Sequence, residues 1–355
     1  MTARLRVALL FGGRSGEHEV SLRSAASVAE GLRPGHDVVC VLVDKAGQWL
    51  LQEGSAPRPA GGEPVFLAPC PGDGGRLRRL EDARELVRPD VFFPVLHGTY
   101  GEDGTVQGLF ELASVPYVGA GVAASAASMD KAMMKALFAR AGLPQVDYRV
   151  LLGRDDDAEA RCLDELGLPV FVKPANLGSS VAVAKVKAAA DLGPALDAAF
   201  AYDRKVVVEK GVPAREIEVS ILGNDAPEAS VPGEIVPDRE FYDSDSKYSP
   251  DSRTALHIPA RVDPATATAV RRLGVAAFQA VDAAGYARVD FFLDRETGRL
   301  VLNEINTIPG FTSISMYPKL WEASGLLYPA LLARLVSLGI ERHVARARLR
   351  TDYRA

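Results

Sequence analysis

The sequence predicts a mixed α/β and α+β protein, and three observations support that prediction. Strand-like and helix-like runs alternate up to about residue 112, which is the pattern of a doubly wound parallel sheet. The middle of the chain has the order strand, Gly/Ser loop and strand, which is typical of an α+β module. A third stretch, near residue 290, has the composition of a β-hairpin. The chain has 355 residues, enough for two or three domains of about 150 residues each.

The composition changes near residues 119–121, where a Gly-Ala-Gly run interrupts the alternating pattern. We therefore expect an N-terminal domain over residues 1–120, a central unit over 121–212 and a C-terminal unit over 213–355. A Pro/Gly-rich stretch at 53–75 has the composition of a surface insertion in the first of these.

Composition and charge exclude several classes of protein. With 48% hydrophobic and 25% charged residues the chain resembles an ordinary globular protein, and its net charge of −5 gives no general attraction to nucleic acid or to anionic membranes. No apolar run approaches the roughly 20 residues that a membrane helix needs. The three cysteines are odd in number and far apart, which argues against a disulfide framework or a cysteine metal site. We expect a cytoplasmic protein with small-molecule partners.

The predicted hairpin near residue 290 carries the strongest chemical signal. Side chains alternate faces along a strand, so Arg288 and Asp290 share a face of the first strand, and Glu304 and Asn306 share a face of the second. Two carboxylates and an amide suit Mg²⁺, a hard ion that takes oxygen ligands. The alternative is a hairpin whose polar face simply meets water. A Gly/Pro/Ser/Thr loop at 307–313 favours the functional interpretation, because such loops present backbone N–H groups to anions.

Two Gly-rich loops follow strands of the N-terminal region. Glu17 lies in the first and suits a substrate ammonium group, although a carboxylate there also complements the dipole of the helix that follows. His97 opens the second loop, where it is either a structural hydrogen-bonding residue or part of a site. Neither loop has the G-x-G-x-x-G pattern, which argues against an NAD-dependent oxidoreductase.

The central unit offers lysines for a nucleotide. Lys173 ends an apolar strand and is followed by a Gly-Ser-Ser loop at 178–180, an arrangement suited to covering phosphates. Lys131 and Lys135 lie on one predicted helix, where lysines are usually solvated.

A long polar stretch at 238–254 is either an ordinary surface loop or a lid that carries Lys247 and Tyr248 over a ligand.

Eight motifs, taken in order, resemble those of the D-alanine–D-alanine ligases of the ATP-grasp superfamily: GGRSGEHEVSL, LHGTYGEDGTVQG, MDK, VKPANLGSS, VEK, FYDSDSKY, ARVDFF and NEINTIPGFTSISMYP. The resemblance covers residues 5–338, and the ordered set is far more specific than any single motif. It implies an ATP-grasp fold preceded by an N-terminal domain with a doubly wound parallel sheet. ATP would then lie between the central unit and a C-terminal unit that carries the lid and the Mg²⁺ site.

The resemblance also implies roles for particular residues. ATP contacts are implied at Lys131, Lys173, Glu209, Lys210, Glu216 and Lys247. Two Mg²⁺ ions, which Mn²⁺ can replace, are implied at Asp290, Glu304 and Asn306. Contacts to D-alanine are implied at Glu17, acting with Ser179 and Tyr248, and at His97 and Ser315. Arg288 and the Gly310 N–H are implied to hold an oxyanion.

The activity implied by the resemblance is ATP-dependent ligation of two D-alanines through a D-alanyl phosphate, for peptidoglycan precursor synthesis, by a homodimer. The alternatives are a D-alanine–D-lactate or D-alanine–D-serine ligase and, from another class, a nucleotide-binding protein without catalysis. Two departures from the family pattern are Ala182, where glycine is usual, and Ser244-Asp245-Ser246 before Lys247.

Overall fold

The computed structural model describes residues 4–154, 157–178, 182–236, 254–312 and 314–350, and in these ranges the chain forms three β-sheets with helices packed on them. The strands of the first sheet are β1 (Arg6–Gly12), β2 (Asp37–Val43), β3 (Trp49–Leu51), β4 (Glu63–Leu67), β5 (Leu77–Arg79), β6 (Glu85–Val87) and β7 (Val91–Pro94). Those of the second are β8 (Tyr148–Leu151), β9 (Val170–Pro174), β10 (Ala184–Val186) and β11 (Val206–Lys210). Those of the third are β12 (Ala214–Gly223), β13 (Glu228–Ala229), β14 (Gly233–Val236), β15 (Ala255–His257), β16 (Gly285–Asp294) and β17 (Leu300–Asn306). The helices are α1 (His18–Leu32), α2 (Thr105–Ala113), α3 (Val122–Met129), α4 (Lys131–Arg140), α5 (Ala158–Leu166), α6 (Leu192–Phe200), α7 (Pro264–Ala280), α8 (Met316–Ala323) and α9 (Tyr328–Ala347).

The first sheet has the strand order β6-β5-β4-β3-β2-β1-β7. Its β1 pairs in parallel with β2 and β7, as the alternating pattern predicts, and α1 provides the crossover between β1 and β2. The four strands beyond β2 are antiparallel, because they are joined by short connections, whereas a parallel pair needs a crossover of a dozen or more residues. The 53–75 stretch is therefore not only a surface insertion: it supplies β4, whose Val65 and Leu67 are buried.

The second and third sheets confirm the α+β prediction for the rest of the chain. The second has the order β10-β9-β11-β8, and the main path of the third is β15-β14-β12-β16-β17; every pair within them is antiparallel. The predicted hairpin is the β16–β17 pair, with Arg288 opposite Asn306 and Asp290 opposite Glu304. Each sheet lies within one of the three expected domains, although the domain division itself stays a prediction.

The last helix ties the C-terminal part of the chain to the first sheet. Leu331 and Leu335 of α9 belong to the same buried cluster as Leu9 and Phe93 of the first sheet. Aromatic rings from the third sheet and the segment after it, including Phe311, complete that cluster. The segment that follows β17 is therefore held at the junction between the first and third sheets.

Among the described residues, no single helix is long and apolar enough to cross a membrane. The consecutive helices α8 and α9 meet that test only when taken together, and they are bent by 107° at the break between them. Leu320, Leu331 and Leu335 on these helices are fully buried within the fold.

The packing of α9 against the N-terminal region leaves no room for a side chain at Gly339. A Cβ at this position would lie 2.6 Å from the Tyr117 carbonyl oxygen, so Gly339→Ala should destabilise the fold by about 1–3 kcal/mol through overpacking. The measurement is the free energy of unfolding in urea.

Gly108→Ala is the matched control, because Gly108 also lies within a helix but a Cβ there meets nothing within 4 Å. It should be neutral or stabilising by up to about 1 kcal/mol, since alanine is the better helix former. Equal effects of the two substitutions would contradict the close approach of α9 to Tyr117.

Candidate active site

A cavity of about 1090 Å³ lies between the three sheets. Every predicted site residue that falls within the described ranges lines it: Glu17, His97, Lys131, Lys173, Glu209, Lys210, Glu216, Arg288, Asp290, Glu304, Asn306, Gly310 and Ser315. Ser179, Lys247 and Tyr248 lie outside the described residues, as does nearly all of the predicted lid. The fold thus brings together residues that are up to 298 positions apart, from Glu17 to Ser315.

A row of three carboxylates crosses the third sheet. Glu218 on β12 lies opposite Asp290 on β16, which lies opposite Glu304 on β17. Like charges in directly opposite positions repel each other. The Arg288 guanidinium offsets that repulsion, because it donates to both oxygens of Asp290 at 2.7 Å and lies 3.0 Å from Glu218 Oε2. Burial works against the charged guanidinium, but Asp290 and Glu218 outweigh it and hold the pKa of Arg288 well above its usual range.

The donors at the β17 end of this row fit a hard cation. Asp290, Glu304 and Asn306 offer only oxygen ligands from protein side chains, the type that Mg²⁺ prefers. In the described ranges no group of three or more His, Cys, Asp or Glu side chains is arranged to hold a metal ion. The set proposed from the sequence has only two carboxylates, and its third donor is the Asn306 amide. Such a partial donor set suits an ion that shares its coordination with water and substrate phosphates.

A cluster of buried charged side chains lies where the second sheet borders the cavity. Lys173 Nζ lies 2.8 Å from one oxygen of Glu209, and Lys135 Nζ lies 3.1 Å from the other. Burial raises the pKa of Glu209, but the two ammonium groups outweigh it and lower that pKa to about 2. For Lys173, burial lowers the pKa, and Glu209 with Glu304 more than offsets this, so the pKa is raised. The carboxylate is therefore held ionised between two cations.

Sequence reasoning missed Lys135, which it treated as one of two ordinary helix lysines. Its side chain is fully buried, and burial lowers its pKa although Glu209 opposes the shift. Lys131 lies four residues earlier on α4, so both lysines share a helix face, and Lys131 donates to the Leu177 carbonyl at 2.5 Å. That spacing was a usable signal, because a helix face that directs one lysine into the site can direct a second lysine toward the same part of the fold.

Two glycines make room for Glu17 at the other end of the cavity. A Cβ on Gly98 would lie 2.9 Å from Glu17 Oε2, and a Cβ on Gly178 would lie 2.8 Å from it. Glu102, which sequence reasoning did not select, lines the same region and accepts the Gly98 N–H at 2.9 Å. Burial, and then the charge of Glu17, raise the pKa of Glu102 well above its usual range. This acidic end of the cavity favours a cationic group such as an ammonium.

The loop after β17 lies between these two regions. His97 is buried, with Nδ1 3.0 Å from the Ile308 carbonyl oxygen. Gly310 has no room for a side chain, since a Cβ would lie 2.8 Å from Ser315 Oγ. The Ser315 hydroxyl accepts the Thr312 N–H at 3.0 Å and precedes the first turn of α8.

The remaining predicted residues lie at the edges of the second and third sheets. Lys210 ends β11 and is exposed, and Glu216 on β12 pairs with Phe292 and Ile235 in neighbouring strands. Ala182 has a φ of 54°, in the left-handed region that glycine adopts most easily. This explains in physical terms why a glycine is the less strained residue at that position.

Comparison with known proteins bears on the whole chain. The family model described as D-ala D-ala ligase N-terminus matches residues 6–120, and the one described as D-ala D-ala ligase C-terminus matches residues 137–337. The chain is 52% identical to a D-alanine–D-alanine ligase from Heliobacterium modesticaldum, over 98% of this chain and 97% of the relative. It is 49% identical to one from Deinococcus radiodurans, over 95% and 98%.

Solved structures agree with the sequence comparison. The D-alanine–D-alanine ligase from Coxiella burnetii superposes with a TM-score of 0.85 at 36% identity, covering 97% of this chain and 96% of that one. The VanG D-Ala:D-Ser ligase from Enterococcus faecalis superposes with a TM-score of 0.84 at 31% identity, covering 95% and 100%. The mixed α/β architecture, the matching domains and the full-length identity lead to one conclusion: this chain belongs to the D-alanine–D-alanine ligase family.

Proposed function

We propose that this protein joins two D-alanines to D-alanyl-D-alanine with cleavage of ATP to ADP and inorganic phosphate, for peptidoglycan precursor synthesis. The observation that carries the proposal is the single cavity in which a lysine-rich end, an acidic row and an anion-binding loop meet. The names and high identity of the relatives support it independently. A nucleotide-binding protein without catalysis would have no need for all three features.

The lysine-rich end supports binding of ATP. Lys131 and Lys173 offer positive charge to phosphates, and Glu209 offers an ionised, fixed hydrogen-bond acceptor beside them. Lys210 and Glu216 line the same end and are proposed as further nucleotide contacts. We extend the proposal to Lys247 on the lid, which lies outside the described residues.

The first step of the proposed reaction transfers the γ-phosphoryl group to the carboxylate of one D-alanine, because an ionised carboxylate is a poor acylating agent. Two Mg²⁺ or Mn²⁺ ions at Asp290, Glu304 and Asn306 would neutralise charge on the phosphates. The lysines orient the phosphates, and Glu17 at the acidic end of the cavity holds the ammonium of the first D-alanine. Ser179, which lies outside the described residues, is proposed to assist Glu17.

In the second step the neutral amine of the other D-alanine attacks the carbonyl carbon of the acyl phosphate. The C–N bond forms, the bond from that carbon to the phosphate oxygen breaks, and inorganic phosphate and the amine proton leave. Arg288 and the Gly310 N–H are proposed to stabilise the tetrahedral oxyanion, a kind of contact worth about 3 kcal/mol when one donor is lost. Ser315 lines the adjoining wall, where the second carboxylate would lie. His97 lines the same cavity, with both ring nitrogens in hydrogen bonds to protein groups. Tyr248 and the lid would keep water from the acyl phosphate.

For the second substrate, the proposal of D-alanine has a specific alternative. One similar solved structure is that of a D-Ala:D-Ser ligase, and it superposes nearly as well as the D-alanine–D-alanine ligase. The higher identities, however, are to D-alanine–D-alanine ligases. We also propose that the enzyme works as a cytoplasmic homodimer, with domains at 1–120, 121–212 and 213–355.

The direct test is ADP release with Mg·ATP and D-alanine. We expect ADP release to require D-alanine, with D-alanyl-D-alanine as the product by mass, and no reaction with L-alanine. D-lactate or D-serine supplied beside D-alanine should be used less well. A mixed product that outweighs the dipeptide would favour the D-lactate or D-serine alternative instead.

Asp290→Asn tests the acidic row. The amide keeps the shape of the carboxylate but loses its charge, so we expect the fold to remain and ligation to fall by at least about 10²-fold, the scale of losing a charge-stabilising group. Activity is to be measured across a Mg²⁺ titration, with circular dichroism as the check on folding. Asp294→Asn, at the turn end of the same strand and outside the cavity lining, is the control and should retain activity. Wild-type turnover in Asp290→Asn would contradict the assignment.

Lys135→Met tests the cluster of buried charged side chains. Because it removes one of the two cations on Glu209, the pKa of that carboxyl should rise from about 2. The carboxylate also loses the ammonium group that fixes one of its oxygens, so ATP should bind about tenfold more weakly, the scale of one lost hydrogen bond to a charged group. A carboxyl whose pKa is lower in the folded than in the unfolded chain stabilises the fold at any pH above its unfolded pKa. That stabilisation is lost as the pH falls through the folded-state pKa. Acid unfolding of the variant should therefore begin at higher pH.

The control is Lys205→Met, which also removes a lysine from an ion pair, between the partly buried Lys205 and Asp130, but does not touch Glu209. It should lower stability and leave ATP affinity close to wild type. Comparable losses of ATP affinity in the two variants would show that the effect at Lys135 is only structural.

A further inference from the structure

A chain of buried hydrogen bonds joins the N-terminal part of the protein to the loop after β17. Nδ1 of His97 lies 3.0 Å from the Ile308 carbonyl oxygen, and Nε2 lies 3.1 Å from Ser24 Oγ. The Phe311 N–H donates to the same Ser24 oxygen at 3.3 Å. Ser24 and His97 therefore hold backbone groups on both sides of Pro309-Gly310.

The chemistry of the groups fixes the direction of each bond. A carbonyl oxygen only accepts, so Nδ1 of His97 carries the proton and Nε2 is the acceptor. The Ser24 hydroxyl donates to Nε2, which leaves its oxygen free to accept the Phe311 N–H. Burial lowers the pKa of His97, although Glu17 and the Ile308 carbonyl oppose the shift, and a neutral ring is what this arrangement requires.

These hydrogen bonds of Ser24 and His97, called the relay below, join parts of the chain that are distant in sequence. Ser24 lies in the middle of α1 and is fully buried, while His97 follows β7. The loop they hold follows β17, whose last residue, Asn306, accepts the Ile308 N–H at 3.0 Å. The Phe311 ring is packed edge-on against Phe93 and Tyr286. The segment 308–311 is thus held by contacts at its start and at its end, and Gly310, which lies between them, lines the cavity.

We propose that Ser24 and His97 are positioning residues, which hold the loop 308–311 so that the Gly310 N–H is fixed toward the reacting carbonyl. This assignment rests on the proposed ligase function and adds a role to it. His97 acts through its bonds to protein groups and not as a base, since both ring nitrogens are engaged. Donors that are fixed before the reaction stabilise developing charge without reorganisation, and a displacement of about 1 Å is enough to cost about 10²-fold in rate.

Ser24→Ala is the variant that isolates this role. Ser24 does not line the cavity, so its loss removes no contact to a ligand. We expect kcat for dipeptide synthesis to fall by about 10²-fold with KM for ATP unchanged. Fewer dipeptides should form for each ADP released, because a longer-lived acyl phosphate is more often hydrolysed by water to D-alanine and phosphate. Ser24→Cys, which keeps a weak donor and acceptor, should recover part of the loss.

The matched control is Ser21→Ala. Ser21 is a fully buried serine one turn earlier on α1, and within the described part of the chain its hydroxyl bonds to backbone of the N-terminal region, at Gly12 and Val95. It should cost similar stability without changing the ratio of dipeptide to ADP. If Ser24→Ala and Ser21→Ala gave the same kcat and the same ratio, the positioning role would be overturned.

A readout that does not depend on activity tests the relay itself. Amide hydrogen exchange, followed on peptides that cover 307–312, should quicken in Ser24→Ala and stay at the wild-type rate in Ser21→Ala. Unchanged exchange in Ser24→Ala would overturn the relay whatever the enzyme does. If the wild type instead releases no ADP with D-alanine, the proposed function fails, and the exchange result alone then supports or overturns the relay.

Discussion

The pairing of Arg288 with the carboxylates opposite it is the interaction on which the site depends. Three acidic side chains lie in register across β12, β16 and β17, an arrangement that repulsion would disfavour in an isolated sheet. Arg288 forms a bidentate contact with Asp290 and a further contact with Glu218, so the sheet forms with the acidic row intact. The same arginine is left at the edge of the cavity, where negative charge develops in the proposed reaction.

The two ends of the cavity show opposite electrostatic designs. At the second sheet, Glu209 is surrounded by ammonium groups and is held as a carboxylate, with its pKa lowered to about 2. At the N-terminal end, Glu102 is buried near Glu17, and its burial together with that neighbouring charge raises its pKa. One end therefore suits anionic phosphates beside a fixed acceptor, and the other suits an ammonium. In the proposed reaction this polarity would orient a zwitterionic amino acid relative to a nucleotide.

Much of the fold and site follows from local patterns. Period-two alternation placed Arg288 and Asp290 on one face of β16 and Glu304 and Asn306 on one face of β17, and in the structure Arg288 lies opposite Asn306 and Asp290 opposite Glu304. The alternating pattern near the N-terminus found the parallel strands β2-β1-β7. The antiparallel strands beyond β2 were missed because β3, β5 and β6 have 3 residues each, and because β4 lies in the Pro/Gly-rich stretch. Patterns of that length carry little periodicity.

The sequence by itself determined the order of the motifs, the hairpin and the chemical types of the site residues, because each of these depends on neighbours along the chain. Only the tertiary structure decided which buried groups meet: Lys135 with Glu209, Glu102 with the Gly98 N–H, and Ser24 with His97 and Phe311. Those contacts join residues 4 to 287 positions apart, and most of them depend on how the sheets pack. Packing is a property of the whole core, so no local pattern encodes it.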